Sequence, residues 1–548
     1  MPVLSVLALA RDDRALPRRV VDAWSGSPAP AEAARLLDRA LATGADHVVT
    51  SVTDGPVDPV ARAERVATIL EAVGRPLGAA HAGLLLGAAD RPRRFGLVRP
   101  TWMHSAPLDP VRTVRTWRLS LGSCVLEADA LRRAGGLDPA FTTLSGAGLD
   151  LGMRLWRNGE HVAHVPDLAE GVPMDDAPSV ADEYRFLARH VLRWQVLLAA
   201  ATSGRPDRAG WSVVRHGGRV PGAPPWTPTP RRHPRIDAGE VTGTVSVLVP
   251  TLDRRPYLRR VLQDLAAQTV PPHEVVVVDQ STPPLTRDEL DWDDRIAPLV
   301  LLRQDVPGQS SARNRGLAAM TGTHVLFLDD DDEFGAELIE AHLRLLGTGQ
   351  VDASCGMVEE AGHPPPAELA VEQHASGFPT NNTMARVAAV RAVGGFDLAF
   401  DRGARADHDL GMRLVRSGAV LWQNPDASLV HLRVPAGGLR THGARKVTRS
   451  SSRSTLTARN LLTPTEAYLH RRYFGPEARR AAFRIQLLTV LRGEGSPGRR
   501  LARAVVQVVL LPDTIRRIRA AERGGDLLLE RHPTLGRFDA PEGDACGS

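Results

Sequence analysis

The sequence predicts an α/β protein built from two similar halves followed by a basic helical tail. Three observations carry that expectation. Apolar runs of strand length alternate with amphipathic, helix-length segments through both halves. One such run, Val325, Leu326, Phe327 and Leu328, ends abruptly at four carboxylates, Asp329, Asp330, Asp331 and Asp332. And Gly135, Gly136 and Asp138 return as Gly394, Gly395 and Asp397, an offset of 259 positions (394 − 135).

The chain has 548 residues, too many for one core, so two or three domains are expected. Hydrophobic residues at 43% and charged residues at 24% describe ordinary globular protein. The net charge of +5 is almost wholly arginine, since Lys446 is the sole lysine. The arginines are dispersed and aromatics make up only 4%, which argues against a nucleic-acid partner. Cys124, Cys355 and Cys546 stand far apart and make neither a zinc pattern nor a disulfide framework, as suits a reducing cytoplasm. The apolar start of the chain meets Arg11, Asp12 and Asp13 at once and reads as a strand rather than a signal peptide. No apolar run is long enough to span a bilayer.

Taken in order, residues 3–9 predict a strand, 16–24 and 31–41 helices, 47–52 a strand, 59–72 a helix and 181–201 a long closing helix. Residues 1–203 form the first expected domain. Residues 204–243, with Pro221, Pro224, Pro225, Pro228, Pro230 and Pro234, read as a linker. The second domain, 244–449, opens with a strand stopped by Pro250. A helix over 255–267, a strand over 274–278 ending at Asp279, and a loop running into a helix over 308–319 lead to the strand 325–328 and a helix over 337–346. Asp407 stands at a helix start, with Leu410 and Leu414 at helical spacing, and His431 closes the apolar pair Leu429 and Val430. Residues 450–548 are arginine-rich, with helical stretches over 477–491 and 499–511. They suit either a membrane surface or a subdomain with a solvated basic face.

Asp279 and Asp329 thus end two strands of one predicted parallel sheet, the edge where α/β proteins bind ligands. Four adjacent acids repel one another unless a cation sits among them. Mg²⁺ or Mn²⁺, completed by substrate phosphates, is one partner; a solvated acidic turn before the helix is the other reading. Asp407 alone reads as a helix cap or as a base, and His431 as a strand-end histidine or a ligand. Arg313 and Asn314 contact phosphate or simply open a helix.

Ser246, Val247, Leu248, Val249, Pro250 and Thr251, then Val277, Val278 and Asp279, then Gly308 through Asn314 to Gly316, then the Asp329 run, Gly394 to Asp397, Asp407 to Gly411, and His431 stand in the order and spacing of the family-2 glycosyltransferases. The second half, over about 245–435, resembles that family. The resemblance implies an α/β fold of GT-A type: a nucleotide-diphospho-sugar transferase, Rossmann-like, here as tandem GT-A domains with a C-terminal helical region. It implies a nucleoside-diphosphate-sugar donor, inversion, and Mn²⁺ or Mg²⁺. The acceptor would be a glycan, a lipid-linked or a small-molecule hydroxyl, as in cell-envelope polysaccharide synthesis, in the cytoplasm or at the inner membrane face. Asp279 matches the acid that holds the nucleotide base. Asp329 and Asp331 match the ends of the family's Asp-x-Asp, at the ribose and the metal-diphosphate. Asp407 matches the catalytic base, and His431 a histidine that in some members holds metal or diphosphate. Pro250, Thr251, Arg313, Asn314 and Asp330 fall among the expected nucleotide-sugar contacts. Ala406 departs from the usual Glu beside the base, and Gln280 from an acid often found after Asp279.

The 259 offset carries Asp150 and Arg154 onto Asp409 and Arg413, but sets Gly148 opposite Asp407 and Val172 opposite His431. Aligning His47 with His324 puts Val52 opposite Asp329 and leaves only Asp54, opposite Asp331. The stretch that should supply an Asp279 is largely missing between Trp24 and Ala31. The first half is therefore expected to be a degenerate copy, its fold kept and its chemistry lost. Other function classes remain open: a non-catalytic carbohydrate-binding or scaffold protein, or a sugar nucleotidyltransferase.

Overall fold

The computed structural model describes residues 6–9, 18–25, 28–51, 78–81, 113–165, 177–202, 207–230, 232–365, 369–434, 437–438, 455–491, 493 and 495–535. The expected helix over 59–72 and positions Val52, Asp54 and Val172 lie outside them. The chain divides into two compact units: residues 1–232 with 416–418, and residues 233–415 with 419–548.

In the first unit the order is β1 (Val6–Leu9), β2 (Arg18–Ser25), α1 (Pro30–Ala42), β3 (His47–Ser51), β4 (Ala79–His81), β5 (Val114–Arg115), β6 (Ser123–Glu127), α2 (Ala128–Arg133), α3 (Leu144–Arg157), β7 (Val162–His164), α4 (Val180–His190), α5 (Arg193–Thr202) and α6 (Arg208–Arg215). Among the described residues one sheet runs β1-β2-β3-β6-β4-β7-β5. Its core gathers Leu126, Leu155, Trp117 and Phe186, the last two 5.6 Å apart between ring centroids. Residues 16–24, expected as a helix, are instead largely the strand β2. Its Val20 and Val21 pair in parallel with His47 and Val48 of β3, and pairing with a neighbour overrides a weak helical periodicity. The long closing helix is two, because Val191 leaves helical geometry at φ −130°, ψ 167°. The proline-rich stretch contains α6, whose Asp207 cap accepts from Gly210 N, so it is not wholly a linker.

The second unit holds β8 (Val245–Thr251), α7 (Arg255–Ala266), β9 (Glu274–Asp279), β10 (Leu299–Arg303), α8 (Gln309–Ala319), β11 (His324–Phe327), β12 (Asp332–Phe334), α9 (Leu338–Leu346), β13 (Ala353–Glu360), β14 (Gln373–His374), β15 (Thr383–Arg386), α10 (Val387–Ala392), α11 (Ala406–Arg416), β16 (Leu421–His431), α12 (Pro464–Tyr473), α13 (Pro476–Thr489), α14 (Pro497–Val509) and α15 (Leu511–Arg531). Its sheet runs β10-β9-β8-β11-β15-β13-β16-β12, with β14 on β16. β10, β9, β8 and β11 are parallel. β9 is buried along its whole length, which is why four valines occupy it without alternation. α7 covers the sheet with Leu258, Val261, Leu262 and Leu265, one helical stripe. The expected helix over 477–491 is α13 and that over 499–511 is α14; α15 went unread. These helices do not form a third unit. α12 donates Tyr468 Oη to Asp397 Oδ2 and Tyr473 Oη to Asp409 Oδ1, each at 2.6 Å, and so belongs to the second core.

The two sheets share a plan. β2-β3-β6-β4-β7 and β8-β11-β15-β13-β16 agree in order and in the sense of every pairing. They agree in register too. His47 faces Glu127 as His324 faces Arg386, and Val114 faces His164 as Gln373 faces Gln423, each second-strand partner 259 positions on. Among the described residues the first unit has no β9 equivalent beside β2. Four residues separate Ser25 from Pro30, and β1 lies antiparallel in that place.

Candidate active site

Four strand and helix ends supply the site. β8 ends at Thr251, β9 at Asp279, β11 runs into Asp329 to Asp332, and β16 ends at His431. The run of acids divides its work because successive side chains leave the chain in different directions. Asp329, the most exposed, accepts from Arg313 Nη2 at 2.8 Å. Asp330 is buried, with one oxygen taken by Thr251 Oγ1 at 2.8 Å and the other by Arg254 Nη1 at 2.9 Å. Burial pushes its carboxyl up to about 6, against Arg254 and Thr251. Asp331, 1% exposed, accepts from Val434 N through Oδ2 at 2.9 Å. Its Oδ1 lies 3.1 Å from Arg254 Nη1 yet receives no hydrogen bond. Asp332 accepts from Asp329 N at 2.8 Å and meets His431 Nδ1 at 3.0 Å. Burial works against a charged imidazole at His431. The bond to Asp332 and the charges of Asp329 and Asp331 outweigh it and raise the ring to about 9.

Asp329, Asp331 and His431 each offer an atom within 4.8 Å of the other two, so these three could hold a metal ion. The cations among the acids are Arg254, Arg313 and His431. Arg254 has no marker in the sequence: it follows Asp253 in an unremarkable turn, and only the fold shows its guanidinium wedged between two carboxylates and Val434 O.

The remaining expected residues are placed as follows. Asp279 is buried at the end of β9 and accepts from Ser281 N, Leu285 N and Arg303 Nη1 at 2.9, 2.8 and 3.2 Å. Pro250 is half-buried beside Thr251. Asn314 is consumed by the backbone of Phe396, donating to its O at 2.8 Å and accepting from its N at 2.7 Å. Arg313 lies 5.7 Å from the Phe396 ring centroid and is likewise engaged. The N-terminus of α8 is closed by Asp401, which accepts from Ser310 N and Ser311 N at 2.9 and 2.8 Å, so phosphate would have to displace a carboxylate there.

Asp407, in the first turn of α11, is partly exposed and meets His408 Nδ1 at 3.2 Å. Its crowded setting pushes the carboxyl up, but His408 and Arg405 hold it well below the usual range. Arg405, on the other side, is fixed to Glu466 at 3.0 Å and stands at φ 85°. Asp253 and Arg433, at φ 55° each, likewise border Arg254 and the His431–Val434 stretch. Three non-glycine residues in the left-handed region beside three site segments mark backbone held in place by its surroundings, the kind of strain that gathers at functional sites.

The position opposite Asp407 differs physically. α3 extends back through Gly148, and a Cβ there would meet Leu119 O at 2.8 Å, so no carboxylate fits. What the units share is a brace: Arg154 donates to Asp150 and Arg413 to Asp409, both at 2.9 Å, and each arginine also reaches the carbonyl before the glycine pair, Ala134 O or Val393 O.

Comparison with known proteins bears on the second unit. Residues 246–386 match the model of Glycosyl transferase family 2. The second unit carries a family-2 glycosyltransferase domain. The chain is 29% identical over 119 residues to the uncharacterized glycosyltransferase EpsJ of Bacillus subtilis, covering 21% of this chain and 35% of that protein. It is 31% identical over 106 residues to the putative teichuronic acid biosynthesis glycosyltransferase TuaG of the same organism, covering 19% and 41%. A pre-mycofactocin glycosyltransferase of Mycobacterium tuberculosis is 31% identical over 226 residues, covering 36% and 45%. The chain spans less than half the length of these relatives. Among solved structures, a mannosyltransferase of Pyrobaculum calidifontis aligns at 17% identity and a TM-score of 0.36, covering 61% of this chain and 98% of that one. The parallel strands β8 to β11 with their antiparallel extension are the GT-A architecture the family implies; within it β9 ends at Asp279 and β11 ends two residues before Asp329.

Proposed function

We propose that the protein transfers a sugar from a nucleoside-diphosphate sugar to an acceptor hydroxyl with inversion, at the site built by Asp279, Asp329, Asp331, Asp407 and His431. The observation that carries this reading is the convergence of Asp329 and Asp331, within the family-2 match, with His431 at the end of β16 in the same unit. The donor set fits a divalent cation: two carboxylates, an imidazole that would give up its proton to the ion's arrival, and in Asp331 Oδ1 a buried oxygen without a hydrogen bond. Mn²⁺ or Mg²⁺ held there would neutralise charge developing on the leaving diphosphate.

The protein's own groups do the rest. Asp279, with Pro250 and Thr251, lines the nucleotide end. Arg313 orients Asp329, while Asp330 braces the site through Thr251 and Arg254 and Asn314 through the Phe396 backbone. Asp407, ionised at neutral pH, accepts the acceptor hydroxyl's proton as that oxygen bonds to the anomeric carbon and the bond to the diphosphate breaks. One carboxylate suffices for a single displacement. The likeness to a teichuronic acid relative supports a glycan or lipid-linked acceptor in the cell envelope, with the enzyme working from the cytoplasm. We infer that the first unit is a degenerate copy acting through packing or acceptor positioning, a reading supported by the shared register and by the lack of room at Gly148.

The test is a panel of nucleotide sugars incubated with Mn²⁺. Metal-dependent release of nucleoside diphosphate is expected. Release of pyrophosphate would instead identify a nucleotidyltransferase, and absence of both binding and release would identify a scaffold.

A further inference from the structure

α14 is an amphipathic helix turned inside out. Its buried face is polar. Arg503, 2% exposed, donates to the carbonyls of Thr455, Ala458 and Val490, and Gln507, fully buried, donates to Leu456 O at 2.7 Å. Its apolar side chains point away from the protein: Leu501 is 68% exposed, Val505 57%, Val508 58% and Val509 73%. Leu501, Val505 and Val508 are separated by four and three residues, so they form one stripe. A helix that only needed to pack on its own unit would have the opposite arrangement, because burying Leu and Val is favourable and burying Arg is costly. Single exposed apolar residues are ordinary, but a contiguous stripe opposite a buried arginine marks an interaction surface.

We propose that this face of α14 lies in the interface of an anionic lipid bilayer, with its leucine and valines entering the acyl boundary. Charge selects this occupant. Exposed Arg499 and Arg500 open the helix, and Arg516 and Arg517, 77% and 62% exposed and sharing the single carboxylate of Asp513, follow on α15. A rim of arginine around an apolar stripe complements anionic headgroups, whereas two like copies would bring the same positive charges together. No described helix is long and apolar enough to cross a membrane, so the attachment is to the surface.

The experiment uses the full chain and sedimentation with vesicles of phosphatidylcholine alone or with about one third phosphatidylglycerol. The wild type should bind the anionic vesicles and only weakly the neutral ones. The triple variant Leu501→Ser, Val505→Ser, Val508→Ser should lose at least about tenfold in binding with an unchanged melting temperature, because these side chains support no packing. Arg499→Gln with Arg500→Gln should weaken binding to anionic vesicles alone. Light scattering on the same samples tests the competing occupant. A wild-type dimer that the triple variant loses, without vesicle binding by either, would overturn the proposal, as would equal vesicle binding by wild type and triple variant.

Discussion

Asp331→Asn separates the metal-binding role proposed for this carboxylate from its structural one. Asp331 Oδ2 accepts from the buried Val434 N, and an asparagine carbonyl placed there would keep that bond. Asp331→Ala would leave the N–H unsatisfied, at a cost of about 1–3 kcal/mol. In a unit of this size that corresponds to a fall in Tm of about 2–4 °C per kcal/mol. Asparagine should therefore melt near the wild type and alanine several degrees lower. The ligand role is lost in both. Even partners that merely orient a metal ligand are worth about 10–100-fold in affinity, so removing a ligand should weaken Mn²⁺-dependent donor binding by about 100-fold or more. Calorimetric titration of the donor into protein with Mn²⁺ or with EDTA reads this directly. Donor affinity that EDTA does not change, or that Asp331→Asn leaves intact, would refute the reasoning.

Asp407→Asn should bind donor normally but transfer it about 10²–10⁴-fold more slowly, measured by product formation under saturating donor. Asp54→Asn, in the first half, should leave the same rate intact; the reverse pattern would put the active domain in the wrong half. His342 is wholly buried between Ser354 Oγ and Asn382 Oδ1, and burial lowers its pKa to about 4 despite the Asn382 bond. The unfolded chain then binds the extra proton between about pH 6.5 and 4, so stability is full above that window and falls by about 3 kcal/mol through it as pH drops. Urea titrations across that range should show a shallower fall for His342→Gln than for the wild type. Ending the chain after residue 450 should lower the melting temperature of the catalytic unit, since Asp397 and Asp409 lose the hydroxyls of Tyr468 and Tyr473. An unchanged melt would return the tail to a separate role.

The strand and helix ends of the second unit were largely legible because residue type changes there. β11 ends at Phe327, just before Leu328 gives way to Asp329, β9 ends at Asp279, and α11 begins beside Asp407, each near a sharp change of residue type that a sequence displays. The division of labour inside the acid run was not legible. Four identical side chains carry no sign of which faces Arg254, which faces His431 and which faces Arg313; that depends on the path of the backbone across other strands. Arg254 and Tyr473 were missed for the same reason, since their partners lie far away in the chain. β2 was misread because Arg18, Arg19 and Asp22 give it a helical pattern that only its pairing with β3 overrules. The tail's union with the second core runs through the Tyr468 and Tyr473 hydroxyls and the Arg405–Glu466 ion pair, and no local pattern announces such distant partners.

The arginines and histidine threaded through the acid cluster have a consequence for any ion the site would take. Arg254, Arg313 and His431 already counter the charge of Asp329 through Asp332, so the cluster holds its shape with nothing added. Many small metal sites are different: their ligands come together only when the ion arrives, and a chelator unfolds them. Here the ion should be strippable and replaceable without the chain coming apart, and Mn²⁺ and Mg²⁺ should exchange according to supply. Occupancy would then follow the cell's free cation level from moment to moment instead of being fixed when the chain folds.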